Sequence, residues 1–222
     1  MRYIVIAIIL YFLVIGALAE TDTTDVFLDC VREYTLPMAP TQSVIGEYTW
    51  IKKSGDTLTG NYFLVPPQAN FITVGDTVER VPFDTLRQQW FMWWIDRNPI
   101  RHEHLFDVTA LGDSASFAIY DYAALDSTKP NVRVAYDRGT CFPFYALFYW
   151  PKSARHAFPG IDAIYYEFTV TERNTLAPAL RVYLDRNGKA FEKFIYRTTE
   201  NVNSTPGEDE IIQFLMGRYE IE

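Results

Sequence analysis

Two histidines one residue apart are the sharpest chemical signal in this 222-residue chain. His102 and His104 flank Glu103. On a β-strand, positions two apart share a face, so both imidazoles could meet one metal ion. Zinc would still need one or two further ligands, for which His156 and Asp107 are the candidates. The chain holds only three histidines, and no other stretch has metal-ligand spacing. The reading adopted is exposed histidines beside Arg101, with no metal site; a His-liganded metalloenzyme is the least favoured alternative.

Other catalytic patterns are thinner. No glycine-rich phosphate loop and no Gly-x-Ser-x-Gly elbow occurs. The acidic pairs Asp107 with Asp113 and Asp121 with Asp126 carry no information about the separation that carboxylate catalysis needs. The expectation is a protein that is not an enzyme and carries no cofactor.

The start of the chain bears on Cys30 and Cys141. Arg2 precedes an apolar run from Ile4 to Val14, and Ala17-Leu18-Ala19 supplies small residues before Glu20. A basic start, a short apolar core and small residues at the cut are what signal peptidase reads, so residues 1–19 are expected to be a secretory signal peptide. In an oxidising compartment an even cysteine count points to a Cys30–Cys141 disulfide. Such a bridge closes a loop of roughly a hundred residues, worth about 4–5 kcal/mol. Asn203-Ser204-Thr205 is a glycosylation sequon, set among turn-forming residues. The mature protein is expected to be extracellular and not membrane-embedded.

The balance of 20 basic and 28 acidic residues gives a net charge of −8. An acidic surface argues against nucleic acid and anionic membranes as partners. Aromatic content is 16%, concentrated in runs that look like strands.

Any functional side chain must be held by these runs. Residues 20–43 are polar and then proline-containing, which reads as an N-terminal arm fastened by Cys30. From Val44 onward short apolar–polar alternations dominate. Strands are expected at 44–53, 57–65, 68–74, 78–81, 114–122, 132–137, 144–150, 164–170, 180–184 and 190–198. Asn187-Gly188 between the last two is a strong hairpin signal. Phe83, Leu86, Trp90, Trp93 and Trp94 fall at helical spacing after Asp84, although Trp90–Ile95 also suits a buried strand. Glu208–Met216 reads as a second helix ended by Gly217. Many short strands and a C-terminal helix indicate a mainly β fold, a closed antiparallel barrel or a sandwich.

At this point the residues resemble the lipocalin family. Cys30 precedes Gly46-Glu47-Tyr48, which resembles the Gly-x-Trp opening of the first lipocalin strand with tyrosine in place of tryptophan. Arg197, after the last long strand and before a helix, resembles the arginine that packs on that aromatic at the closed end. The resemblance implies a closed eight-stranded up-and-down barrel over residues 44–222, with a C-terminal helix and a Trp-rich helical insertion. It also implies extracellular binding and transport of a small hydrophobic ligand. Ligand-facing residues would be the alternate apolar ones: Trp50, Leu58, Tyr62, Phe117, Ile119, Ile164, Tyr166, Phe168 and Val182. Tyr48 and Arg197 would stack at the closed end, with Gly46 allowing the close approach. The alternative is a secreted protein-interaction module whose interior is filled by its own aromatics.

Overall fold

Alternation builds one large sheet. The computed structural model describes residues 24–35, 43–65, 69–82, 99–151, 160–170, 176–202 and 207–217. The strands are β1 Ser43–Ile51, β2 Thr57–Val65, β3 Ala69–Val74 and β4 Thr77–Pro82, then β5 Phe106–Asp113, β6 Phe117–Ala124, β7 Asn131–Asp137 and β8 Pro143–Tyr149. The last three are β9 Ala163–Val170, β10 Leu176–Leu184 and β11 Ala190–Val202. Helix α1 is Thr24–Thr35, a short 3-10 helix spans Pro99–Leu105, and α2 is Glu208–Leu215. The signal segment, the tryptophan-rich segment, His156 and Asn203 lie outside the described residues.

All neighbouring strands run antiparallel in the order β4-β3-β2-β1-β11-β10-β9-β8-β7-β6-β5. Two consecutive meanders are joined where β11 returns beside β1, pairing Tyr48 with Tyr196 and Trp50 with Phe194. The Asn187-Gly188 turn forms as its residues demand. Gly188 has φ +71, and the Asp185 carboxylate accepts the Asn187 and Lys189 amides at 2.9 Å each.

The closed eight-stranded barrel is corrected here. The sheet has eleven strands and, among the described residues, does not close: β4 and β5 remain its edges. Period-two alternation fixes which face a residue takes but is identical in open and closed sheets, so closure was not legible from it.

The two faces carry separate cores. On the inner face one cluster runs from Tyr48, Tyr62 and Ile72 through Phe194, Tyr166 and Phe148 to Tyr136, Tyr120 and Tyr122. Leu28 and Val31 of α1 belong to it. On the outer face Ile45, Phe63 and Phe71 meet Ile211 and Leu215 of α2. The amphipathic stripe of α2 therefore covers the far side of β1–β3. Its first turn is closed by the Glu210 carboxylate accepting the Gly207 amide at 2.7 Å, and Gly217 at φ +68 ends it.

The arm is also corrected. Residues 24–35 are a helix, because Phe27, Leu28 and Val31 share a side that packs on the core. Its fastening is as expected: Cys30 and Cys141 are bonded, with Cα atoms 6.0 Å apart and 111 positions between them. Cys141 sits in the β7–β8 turn, where its amide donates to the Asp137 carbonyl at 2.8 Å. Its φ of +59 is the left-handed region, which a non-glycine residue enters only at a cost.

The expected closed-end stack does not form. Arg197 is exposed, and it lies on the face of β11 opposite Tyr196, whereas Tyr48 is buried on the Tyr196 side. The Tyr48 hydroxyl donates instead to the Thr73 carbonyl at 2.5 Å. Gly46 does serve a close approach, but to Tyr62, its partner on β2.

Candidate functional site

One end of β5–β8 is hollow. The register sets Phe106 opposite Ala124, Tyr122 opposite Val132, and Val132 opposite Phe148. These positions bring the start of β5, the end of β6, the start of β7 and the end of β8 to one place. A cavity of about 620 Å³ lies there, within the range of small-molecule sites.

Its wall is a gradient from core to solvent. Val132 and Phe148 are fully buried and form the floor. Phe106 packs edge-on against Tyr122, ring centres 6.1 Å apart. Ala124 and Pro130 line the middle, half-buried. Leu105 and Leu125 are 50% and 62% exposed at the mouth, a poor place for leucine in a site that holds nothing apolar. The polar lining residues are His102, Asp126 and Lys129.

Each rim residue is positioned by an identifiable contact. The Leu125 amide donates to the Leu105 carbonyl at 3.0 Å, closing the strand end. Asp126 starts a turn: its carboxylate accepts the Thr128 amide at 2.9 Å and the Thr128 hydroxyl at 2.7 Å. Those bonds hold its carboxyl below the usual range. The Lys129 amide donates to the Asp126 carbonyl at 2.9 Å, and the Asn131 side chain accepts the Ala124 amide at 3.0 Å. The turn that carries Leu125 and Lys129 is thus tied at both ends.

The short helix supplies the other wall. It is kinked at His102, with φ −132, and presents His102 and Leu105 to the cavity. Arg32 of α1 grips it: Nε and Nη2 each donate to a Glu103 carboxylate oxygen at 3.0 Å. Arg32 also donates to Asp29 at 2.6 Å. One helix is therefore held to β7–β8 by the disulfide and to the cavity wall by a two-pronged ion pair.

The histidines do not make a metal site. They stand on the short helix rather than a strand, with ring centres 6.5 Å apart. Asp107 is exposed at the start of β5. Among the described residues no group of three or more His, Cys, Asp or Glu side chains is placed to hold an ion.

None of the nine residues expected to face a ligand lines the cavity. Tyr62, Ile164, Tyr166 and Phe168 are buried in the inner core. Trp50 packs at its margin, stacked on Phe194 at 5.1 Å and donating to Glu192 at 2.6 Å. Leu58, its partner across the strands, is half-buried. Phe117 and Ile119 lie on the other face: β6 turns Ala118, Tyr120 and Tyr122 inward. Val182 is buried, but opposite the side of β10 that carries Arg181 and Tyr183. The residues that do line the cavity come from four strand ends and a helix, and only the exposed leucines stood out in the sequence as misplaced apolar side chains.

The sequence also hid a buried cation. Arg181 is wholly enclosed, its guanidinium 4.1 Å from the Phe194 ring centre and 4.9 Å from that of Tyr183. It donates to Tyr166. Burial pushes the Tyr166, Tyr183 and Tyr196 hydroxyls up, and the arginine only partly offsets this. Farther along, the Tyr122 and Tyr136 hydroxyls are 3.1 Å apart. The inner face is filled by this aromatic packing, so the free volume is at the end of the sheet and not along it.

No family model matches the chain, and no curated protein does. Solved structures do resemble it. A DUF1329 family protein from Desulfovibrio piger is similar with a TM-score of 0.50 and 9% identity, over 86% of this chain and 98% of that one. A putative outer membrane lipoprotein-sorting protein domain from Vibrio parahaemolyticus gives 0.47 and 9%, over 86% and 98%. A LolA superfamily protein from Nitrosomonas europaea gives 0.44 and 13%, over 87% and 98%. At such identity the Desulfovibrio likeness is one of fold, and that fold is not the lipocalin barrel that the motifs resembled.

Proposed function

We propose that this protein binds and carries a small hydrophobic molecule in the cavity at the end of β5–β8. The observation that carries the reading is the cavity's construction: about 620 Å³, floored by Val132 and Phe148 and opening between the exposed Leu105 and Leu125. An apolar pocket with a few convergent polar groups is what ligand carriage needs. Burying the two rim leucines against a ligand would contribute about 25 cal/mol for each Å² removed from water.

The setting proposed is outside the cytoplasm, with residues 1–19 removed as a signal peptide and Asn203 open to glycosylation. The Cys30–Cys141 bond supports an oxidising compartment. Native mass spectrometry of protein isolated from its own source tests carriage. A lipid-like mass that leaves on denaturation supports the reading; protein that stays free of ligand and takes up no added apolar molecule contradicts it.

A further inference from the structure

We infer that the cavity prefers amphiphiles with an anionic head, a long-chain carboxylate being the simplest, with the tail on Phe106, Val132 and Phe148 and the head beside Lys129. This rests on the carriage reading proposed above and names the chemical class of its ligand.

The polarity of the cavity is arranged along its depth. Its buried end is hydrocarbon, and its charged residues, Asp126 and Lys129, are at the exposed rim. A molecule filling it must therefore be apolar at one end and polar at the other, because an uncharged hydrocarbon would leave the rim charges facing oil.

The two charges are not equivalent. The Asp126 carboxylate is spent on the turn, accepting both the amide and the hydroxyl of Thr128. The Lys129 backbone shares in that turn, while its ammonium stands on a flexible stem that can lie along the rim and reach the head. His102, half-buried on the facing wall, adds a ring N–H donor. The groups able to donate to a ligand head are thus Lys129 and His102. The net charge of −8 opposes this only at a distance. At physiological salt the Debye length is about 8 Å, so contact charges decide the preference.

The test compares decanoate, decanol and decylammonium, which share one tail, by displacement of a neutral apolar dye. Wild-type protein is expected to bind decanoate about fivefold tighter than decylammonium, the size of one exposed ion pair. Lys129→Glu is expected to reverse that order, and Lys129→Gln to abolish the difference. Both changes are on an exposed turn position. Equal binding of all three, or an order unmoved by Lys129→Glu, overturns the head-group assignment and leaves carriage standing. Failure of all three to bind overturns both.

Discussion

Tyr62 lies across β1 from Gly46, its ring in the space a side chain at 46 would take. The reciprocal pair is Tyr48 over Gly60 on the same two strands. Each glycine removes a side chain so that a tyrosine can close over the backbone and reach the inner core. Gly46→Ala is expected to lower stability by about 1–3 kcal/mol, the usual cost of overpacking. Arg197→Ala, at an exposed position on the other face, should change it by less than about 0.5 kcal/mol. Urea denaturation of both variants checks this; a larger loss for Arg197→Ala would restore the closed-end stack.

Arg181 fills space as well as carrying charge. Arg181→Ala is expected to cost about 2–4 kcal/mol through the cavity it leaves beside Phe194 and Tyr183. Arg181→Met keeps most of the volume and removes the buried charge, so it should cost clearly less. Thermal melts of the pair decide; equal losses would mean that the charge, not the packing, matters there.

The disulfide is the longest-range fastening in the described structure, spanning 111 positions. Cys30→Ala with Cys141→Ala should lower stability by about 4 kcal/mol. Pairing Cys30→Ala with Cys141→Gly should recover about 1 kcal/mol, because glycine accepts the φ of +59 that alanine does not. Chemical denaturation of the two double variants measures the difference. No difference would show that the turn relaxes once the bond is gone.

Alkaline pH should unfold the protein. Burial raises the hydroxyl pKa of Tyr122, Tyr136, Tyr166, Tyr183 and Tyr196. In the unfolded chain these phenols lose protons near pH 10, while the fold holds them. The folded state binds more protons, so stability is intact below about pH 10 and falls as pH rises beyond it. Phenolate absorbance and circular dichroism followed together should show these tyrosines ionising in the same step that melts the sheet. Full ionisation with the sheet intact would contradict their burial.

Much of the sheet was legible because strand alternation is local. Thr57–Val65 forms β2 with the bounds its pattern gave, and α2 begins at Glu208 as its acidic first turn indicates. Phe106–Asp113 passed unread although Phe106 and Val108 alternate with Asp107 and Thr109, because attention lay on the histidines before it. In β6 both sets of alternate residues carry large apolar groups, so Phe117 and Ile119 were as good a guess for the inner face as Tyr120 and Tyr122. The cavity itself was not legible: it depends on which strand ends meet, and β11 pairing with β1 is a matter of tertiary order.

The central claim is that an apolar ligand occupies the end cavity, and one titration tests it most directly. A neutral naphthylamine dye is added to wild-type protein and to Ala124→Trp, which places an indole in the half-buried wall between Phe106 and Leu125. The account predicts saturable, single-site fluorescence enhancement in the wild type and its loss in Ala124→Trp with the melting temperature retained. Undiminished binding by Ala124→Trp would contradict it and move the site elsewhere on the sheet.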